Sequence, residues 1–403
     1  MAALPDFSAL ASIKFPTTVP IVSEAVGESS VNDGGGDKKL SSLSSFTNTY
    51  AYKLQDTCIP NGLSIYTSDD EVVVWMVSKH MITRLRIDPT SPSPPSPPTS
   101  QAFNLNSPSS PMTSVTHAHS GTACVVPSGP SLTYVCHLTN KILRTFPGHV
   151  SSVACASLSP GSDKLVSVDT SGQMKQWELT SAAALAAGPA GSLLGSGPAA
   201  KRRGQAASLP RVSLAWDPTG SVYCACHPSS SEGSILAGTM YDGGGSPPAP
   251  FASFDVTRAE VEKALRRQGA PTTIDSWISD VGMREVTGAE FSADGERFMV
   301  KGLGGCFVIL DAFSYGVVGV PVEHLQGAGG EEGPTVACFG RGAMEAVVVD
   351  GGGEKIHLYK NYMSSVSAVK EAGGDKVVGL EWIKGRDVFV TVGSTVALWQ
   401  GGE

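Results

Sequence analysis

Charge is scarce in this chain. Only 16% of its 403 residues are Asp, Glu, Lys or Arg, against about 25% in typical soluble domains. Acidic residues outnumber basic ones, 37 to 29, for a net charge of −8, which argues against nucleic-acid binding driven by overall basicity. No stretch approaches the roughly 18 consecutive apolar residues that a membrane-spanning helix requires. The opening MAALPDFSALASIKF has no basic segment, Pro5 and Asp6 interrupt its apolar run, and no arginine precedes Arg84. Neither a secretory signal nor a mitochondrial presequence is expected from it. The 8 cysteines are scattered singly apart from Cys224 and Cys226, which strand alternation turns to one face but which have no partner pair at zinc-ligand spacing. Reduced thiols in a cytosolic or nuclear protein are the expectation. Catalytic signatures are also missing: there is no Gly-x-Ser-x-Gly, no His-Glu-x-x-His and no Gly-x-x-x-x-Gly-Lys-Ser/Thr. The Gly-rich runs at 34–39 and 327–333 lack the strand-to-helix setting of a phosphate cradle and read as loops. His117, His119 and His227 read as structural or solvated histidines rather than metal ligands. A non-enzyme with no cofactor, no metal, no membrane contact and no small-molecule substrate is expected.

What the sequence does contain is enough apolar material for a sizeable core, 41% of residues, with 46 glycines and 27 prolines, above the roughly 12% combined average. It also contains a repeat. Residues 148–179 read GHVSSVACASLSPGSDKLVSVDTSGQMKQWEL: Gly-His, a small-apolar strand, a Ser-Pro-Gly turn, a second strand, a polar turn and a closing Trp. That order is the grammar of a WD repeat, in which four antiparallel strands make one propeller blade. The motif's buried network of His, Ser or Thr, turn Asp and Trp falls on His149, Ser167, Ser171 and Trp177; the Asp is missing, replaced by Ser171, and a weakened network is expected. Other units keep the spacing. Asp69 stands six residues before Trp75, AWDPTG and FSADGERFMV each give strand, turn and strand, and VILDAF, KIHLYK and TVALWQ place Leu310, Tyr359 and Trp399 where the Trp would stand. Taking Trp75, Tyr134, Trp177, Tyr241, Leu310, Tyr359 and Trp399 as third-strand ends gives seven blades. Some spacings are close to the roughly 40–45 residues of a WD repeat and the rest are lengthened by inserts.

The expected organisation is all-β. Residues 1–47 supply a closing strand near 15–22 followed by a flexible Gly/Ser-rich loop. Residues 48–403 form a seven-bladed WD40 β-propeller whose first blade opens at 48–54. Flexible inserts are expected near 88–112, 181–208 and 242–250. A helical insert is expected near 257–268, where Thr257 as N-cap, Glu260 three residues on, and Val261 and Leu265 at helical spacing predict a short surface helix. The structural network residues are Asp69, Trp75, His149, Ser167, Trp177 and Trp399.

The patches TNKILRTFPGHVSSV, QMKQWEL, PFASFDV, FSADGERFMVKGLGGCFVILDAFSYGVV and TVALWQ resemble the small WD-repeat subunit of the COMPASS histone H3 lysine 4 methyltransferase complexes. Members of that family also occur in a nuclear phosphatase complex and in the cleavage and polyadenylation machinery. The resemblance runs in patches from about Asn48 to Trp399 and is most specific at 146–149 and 304–313. It implies a nuclear, non-catalytic scaffold that binds the SET-domain subunit and its companions, meets chromatin through them, and approaches the phosphorylated tail of RNA polymerase II. Phosphoserine recognition calls for Arg or Lys donors beside aromatic platforms, and loop position offers Arg144, Phe146 and Arg284 as candidates. The inserts are not part of the family pattern. A cullin-ligase substrate receptor is the alternative of another class, although Trp177 and Trp399 are not followed by the Trp-Asp-x-Arg of such receptors.

Overall fold

The computed structural model describes residues 47–53, 62–89, 99–102, 114–189, 212–268, 283–320 and 334–401, apart from short interruptions inside these ranges. Among them the strands form seven four-stranded antiparallel sheets. In each of the first six, four consecutive strands pair in chain order. The first sheet holds Gly62–Thr67, Val72–Ser78, Met81–Ile87 and Thr99–Ala102, and the second Thr116–Ala118, Ala123–Ser128, Ser131–Cys136 and Lys141–Phe146. The third holds Val153–Leu158, Lys164–Asp169, Gln173–Glu178 and Ala184–Pro189, and the fourth Ser213–Trp216, Val222–Pro228, Ser234–Asp242 and Pro250–Thr257. The fifth is built from Gly288–Phe291, Arg297–Lys301, Phe307–Asp311 and Val317–Gly319, and the sixth from Ala337–Phe339, Glu345–Val349, Lys355–Lys360 and Val366–Glu371. The seventh differs: Gly379–Trp382, Val388–Val392 and Thr395–Gln400 take their fourth strand, Thr47–Lys53, from the other end of the chain.

Second strands such as VVVWMVS, EAVVV and VFVTV are continuous apolar runs because both their faces are buried. The faces meet in seven apolar clusters, each joining one sheet to the next. Val73 and Trp75 pack on Cys124 and Val126, Phe146 and Tyr134 on Leu165 and Trp177, and Val72 and Val74 of the first sheet on Val388 and Val390 of the seventh. First strands also approach one another, Gly62–Thr67 touching both Thr116–Ala118 and Gly379–Trp382. Gly379 lies so close to Leu63 that a Cβ there would fall 1.8 Å from Leu63 Cδ2. The turn Asp217–Gly220 shows local chemistry of the kind the sequence advertises. Asp217 Oδ1 accepts the Val222 N–H at 2.8 Å, and Gly220, at φ +71, leaves no room for a Cβ beside Pro160 O.

The helix spans Arg258–Arg267 with the expected Thr257–Glu260 capping box, and it buries Val261, Ala264 and Leu265. Other expectations need correction. The strand expected to open the first blade at 48–54 belongs instead to the seventh sheet, and the closing strand expected at 15–22 lies outside the described residues. Two regions read as loop or insert supply edge strands: Thr99–Ala102 pairs with Met81–Ile87, and Ala184–Pro189 with Gln173–Glu178. Trp75 lies on the second strand of its sheet, not on the third where the spacing expects it.

Candidate functional site

The third sheet carries the best-formed polar constellation. Gly148, at φ +131, turns the chain so that His149 folds against the third sheet, where it, Ser167, Asp169 and Trp177 are all buried. Ser167 Oγ is the hub. It lies 2.7 Å from His149 Nε2 and accepts the Trp177 Nε1–H at 2.8 Å. His149 Nδ1 lies 3.2 Å from Asp169 Oδ2. The other oxygen, Asp169 Oδ1, accepts the Ser171 N–H at 2.9 Å, the Ser171 hydroxyl at 2.6 Å and the Gln173 N–H at 2.9 Å. The chain of bonds is complete for a neutral imidazole that donates from Nδ1 and accepts at Nε2.

The Asp of the motif is therefore present. It is Asp169, at the end of the second strand, and Ser171 is one of its donors rather than its replacement. The signal was in the sequence, since KLVSVD ends on that aspartate two residues before Ser171. Burial pulls the His149 imidazole below the ordinary histidine range, against the opposing attraction of Asp169. For Asp169 burial works upward, but hydrogen bonds from Ser171, Gln173 and Ser151 and the electrostatic attraction of His149 outweigh it and hold the carboxyl below its usual range. Lys175 covers the constellation, donating to Gly148 O and lying 5.8 Å from the centre of the Trp177 ring. Sealed in this way, the four residues tie the turn at His149 to the third sheet, and Trp177 also packs on Phe146 of the second.

The remaining network candidates differ. Trp399 Nε1 donates to Thr391 Oγ1 at 2.9 Å, the same Trp-to-hydroxyl bond one strand across. Trp75 Nε1 has no hydrogen-bond partner among the described residues; the ring packs edge-on to His137 and under Arg84. Trp75 is thus a core residue and not a network tryptophan. Asp69 lies outside the described residues.

Of the partner-binding candidates, Phe146 is fully buried, 5.6 Å from Trp177, and offers no platform to a ligand. Its position just before Gly148 makes it a wedge between the second and third sheets. Arg144 donates from Nη1 to Thr180 O across the same junction. Arg284 lies outside the described residues. Exposed apolar side chains stand nearby and farther on: Val150, next to His149, is 81% exposed and Phe313, at the end of the 304–313 patch, is 77% exposed. Phe313 sits on a turn that Asp311 fixes by accepting the Phe313 and Ser314 N–H groups and the Ser314 hydroxyl. Arg297 pairs with the other oxygen of Asp311 at 2.5 Å.

Cys224 and Cys226 do share one face, their sulfurs 3.5 Å apart and fully buried. Burial pushes the Cys224 thiol well up, the reverse of a reactive thiolate. His227 Nδ1 bonds the Pro228 carbonyl, and His119 lies outside the described residues. Among the described residues no group of three or more His, Cys, Asp or Glu side chains is placed to hold a metal ion. His117 Nδ1 lies 2.8 Å from Ser64 Oγ, and its ring meets Tyr66 edge-on at 5.4 Å. Tyr66 and His117 wall a cavity of about 640 Å³ at the end of the first strands of the first three sheets, reaching Glu381 of the seventh.

No family model matches the chain. An uncharacterized WD repeat-containing protein of Schizosaccharomyces pombe is 26% identical over 200 residues, which cover 49% of this chain and 48% of that protein. The match thus spans about half the length of the curated relative. Together with the all-β body of antiparallel four-stranded sheets, this likeness supports a WD-repeat architecture.

Proposed function

We propose that the chain is a closed seven-bladed WD-repeat propeller serving as a nuclear, non-catalytic scaffold in a COMPASS-type histone H3 lysine 4 methyltransferase complex. In this reading it holds the SET-domain subunit and its companions, and links them to chromatin and to the phosphorylated tail of RNA polymerase II. The observation that carries the scaffold reading is the buried His149, Ser167, Asp169 and Trp177 network. It commits the residues most suited to acid–base chemistry to fastening the turn at His149 onto the third sheet. Closure is supported by the pairing of Thr47–Lys53 with Thr395–Gln400 and by the apolar cluster between the seventh and first sheets. The choice of complex rests on the sequence patches. One of them ends in the Asp311-fixed turn that presents Phe313 to solvent, a rigid apolar contact of the sort that protein partners use.

The test is affinity purification of the tagged full-length chain from its own cells, with co-purifying proteins identified by mass spectrometry. Recovery of a SET-domain methyltransferase with sibling WD-repeat subunits is the expected result. Phosphatase or polyadenylation factors without the methyltransferase would move the protein to another branch of the same family, and a cullin adaptor would overturn the family reading.

A further inference from the structure

The second sheet presents three exposed aliphatic side chains on one hairpin. Its third and fourth strands, Ser131–Cys136 and Lys141–Phe146, pair directly. Around the hairpin end Leu138 is 72% exposed, Leu143 47% and Ile142 41%. A solitary exposed leucine is ordinary, but three aliphatic side chains within six residues make a patch. A bulge creates part of it: Ile142 pairs with Val135 and Arg144 with Tyr134, which leaves Leu143 as the extra residue. Two consecutive aliphatic residues are thereby exposed, where regular alternation would turn one of them inward. The hairpin end is also fixed in place. His137 donates its N–H to Thr122 O at 3.1 Å and packs edge-on to Trp75 of the first sheet, while Leu138 and Thr139 hydrogen-bond Cys136. A surface held in one shape loses little freedom when a partner binds it.

Two other outer strands are treated differently. The helix Arg258–Arg267 lies against Val317–Gly319 of the fifth sheet, and Arg267 donates to the Val317 carbonyl at 3.3 Å. In Pro250–Thr257 of the fourth, exposed Ser253 and Asp255 alternate with buried Phe254 and Val256. Covering an edge or giving it polar side chains are the usual protections. At its start Lys141–Phe146 shows Ile142 and Leu143 instead.

Charge narrows the occupant. No Asp or Glu occurs in residues 89–162, in a chain whose net charge is −8. Lys141 is exposed beside the aliphatic pair, and Arg144, which donates to Thr180 O, follows on the same strand. Asp163 of the third sheet acts on the Tyr134 phenol, and Tyr134 is paired with Arg144 rather than with Lys141. The hairpin is thus a basic, aliphatic spot on an acidic protein. Two copies meeting here about a two-fold axis would set these cations against themselves, so charge favours a different, acidic occupant.

We propose that this hairpin docks an acidic, aliphatic-rich segment of a protein partner, whose aliphatic side chains pack on Leu138, Ile142 and Leu143 while its carboxylates face Lys141 and Arg144. The proposal rests on the scaffold reading, since it gives the chemistry of a partner that such a scaffold would hold. The bulge interrupts the register an added strand would need, so side-chain contacts rather than a backbone ladder carry the docking.

The experiment is selection of a random twelve-residue peptide library on the immobilised full chain, with counter-selection on a Leu138→Ser/Leu143→Ser variant. Fluorescence anisotropy of the labelled peptides then measures affinity. Sequences of net negative charge carrying aliphatic residues are expected. Leu143→Asp should weaken their binding at least tenfold, Lys141→Glu at least threefold, and raised salt several-fold. Phe251→Ser, an exposed aromatic of the fourth sheet, should leave it unchanged. Should Leu143→Asp misfold, Leu138→Ser at the exposed turn decides in its place. Folded wild-type protein that selects no discriminating peptide, or selects neutral or basic ones, overturns the proposal. So does dimerisation in sedimentation velocity that Leu143→Asp or Leu138→Ser abolishes, because the occupant would then be a second copy. Failure here with a methyltransferase complex still recovered removes the hairpin's role and leaves the scaffold reading standing. Success here with no methyltransferase recovered keeps the hairpin's partner class and removes the choice of complex.

Discussion

Ser167 is a single hydroxyl on which two other buried groups depend. Ser167→Ala orphans His149 Nε2 and Trp177 Nε1 together, and each unsatisfied buried group costs about 1–3 kcal/mol. A fall in the urea midpoint with an unchanged slope would check it. The correction from Ser171 to Asp169 has its own test. Asp169→Ala strips the acceptor from His149 and from three backbone N–H groups, whereas Ser171→Ala removes one donor from an oxygen that keeps the others. Equilibrium unfolding should therefore rank Asp169→Ala well below Ser171→Ala, and the opposite order would return the network to Ser171. Acid acts on the same residues. His149 is held below its ordinary pKa in the folded state, so the folded protein binds fewer protons than the unfolded chain. The stability this contributes is present above the unfolded value of about 6.5 and is lost as pH falls from there through the folded value. His137, His227 and His357 are lowered by burial in the same direction. Thermal unfolding should lose several degrees between pH 7 and pH 5, and His149→Gln should flatten that slope without abolishing it.

At the scale of elements, what could be read in advance was whatever is specified locally. The Thr257–Glu260 box fixes the start of a helix within four residues, and the turn at Asp217–Gly220 is set by one carboxylate and one positive-φ glycine. Edge strands are different. Thr99–Ala102 and Ala184–Pro189 each pair on one side only, so their sequences need no buried alternation, and Pro/Ser-rich or Ala-rich composition hides them. Trp75 misled for a related reason: a second strand buried on both faces accepts any large apolar residue, so an indole there imitates the marker of a third strand. Thr47–Lys53 was assigned to the wrong sheet because its partner lies at the far end of the chain, beyond the reach of any local pattern. It is also where an element-scale prediction falls. A chain that starts after Lys53 should unfold at lower urea than one that starts at Phe46. It should also aggregate more readily, because Thr395–Gln400 would become an unpaired edge. Equal midpoints and equal solubility would show that this pairing contributes nothing.

The whole molecule is a series of sheets in which each apolar cluster is shared by two neighbours, so damage to one sheet is felt in the next. Trp177 packs on Phe146 of the sheet before it and bonds Ser167 within its own. Trp177→Ala should cost about 3–5 kcal/mol, a large part of a typical domain stability of about 5–15 kcal/mol. The proposed scaffold then predicts loss of co-purifying partners in proportion to the loss of folded protein. Normal assembly by Trp177→Ala at wild-type abundance would count against it.

The sheet that joins Thr47–Lys53 to Thr395–Gln400 also sets a clock on biosynthesis. The strand made first among those described must wait, unpaired on that side, until the strand made last has left the ribosome. Folding from the N-terminal side, as domains ordinarily do during synthesis, can complete six sheets in order but not the seventh. A message truncated between the codons for Val388–Val392 and those for Thr395–Gln400 therefore yields a chain with two open edges at once, one on each of Thr47–Lys53 and Val388–Val392, and both are surfaces that quality-control machinery can detect. Completion of this one pairing thus reports that the chain was read through to Thr395–Gln400.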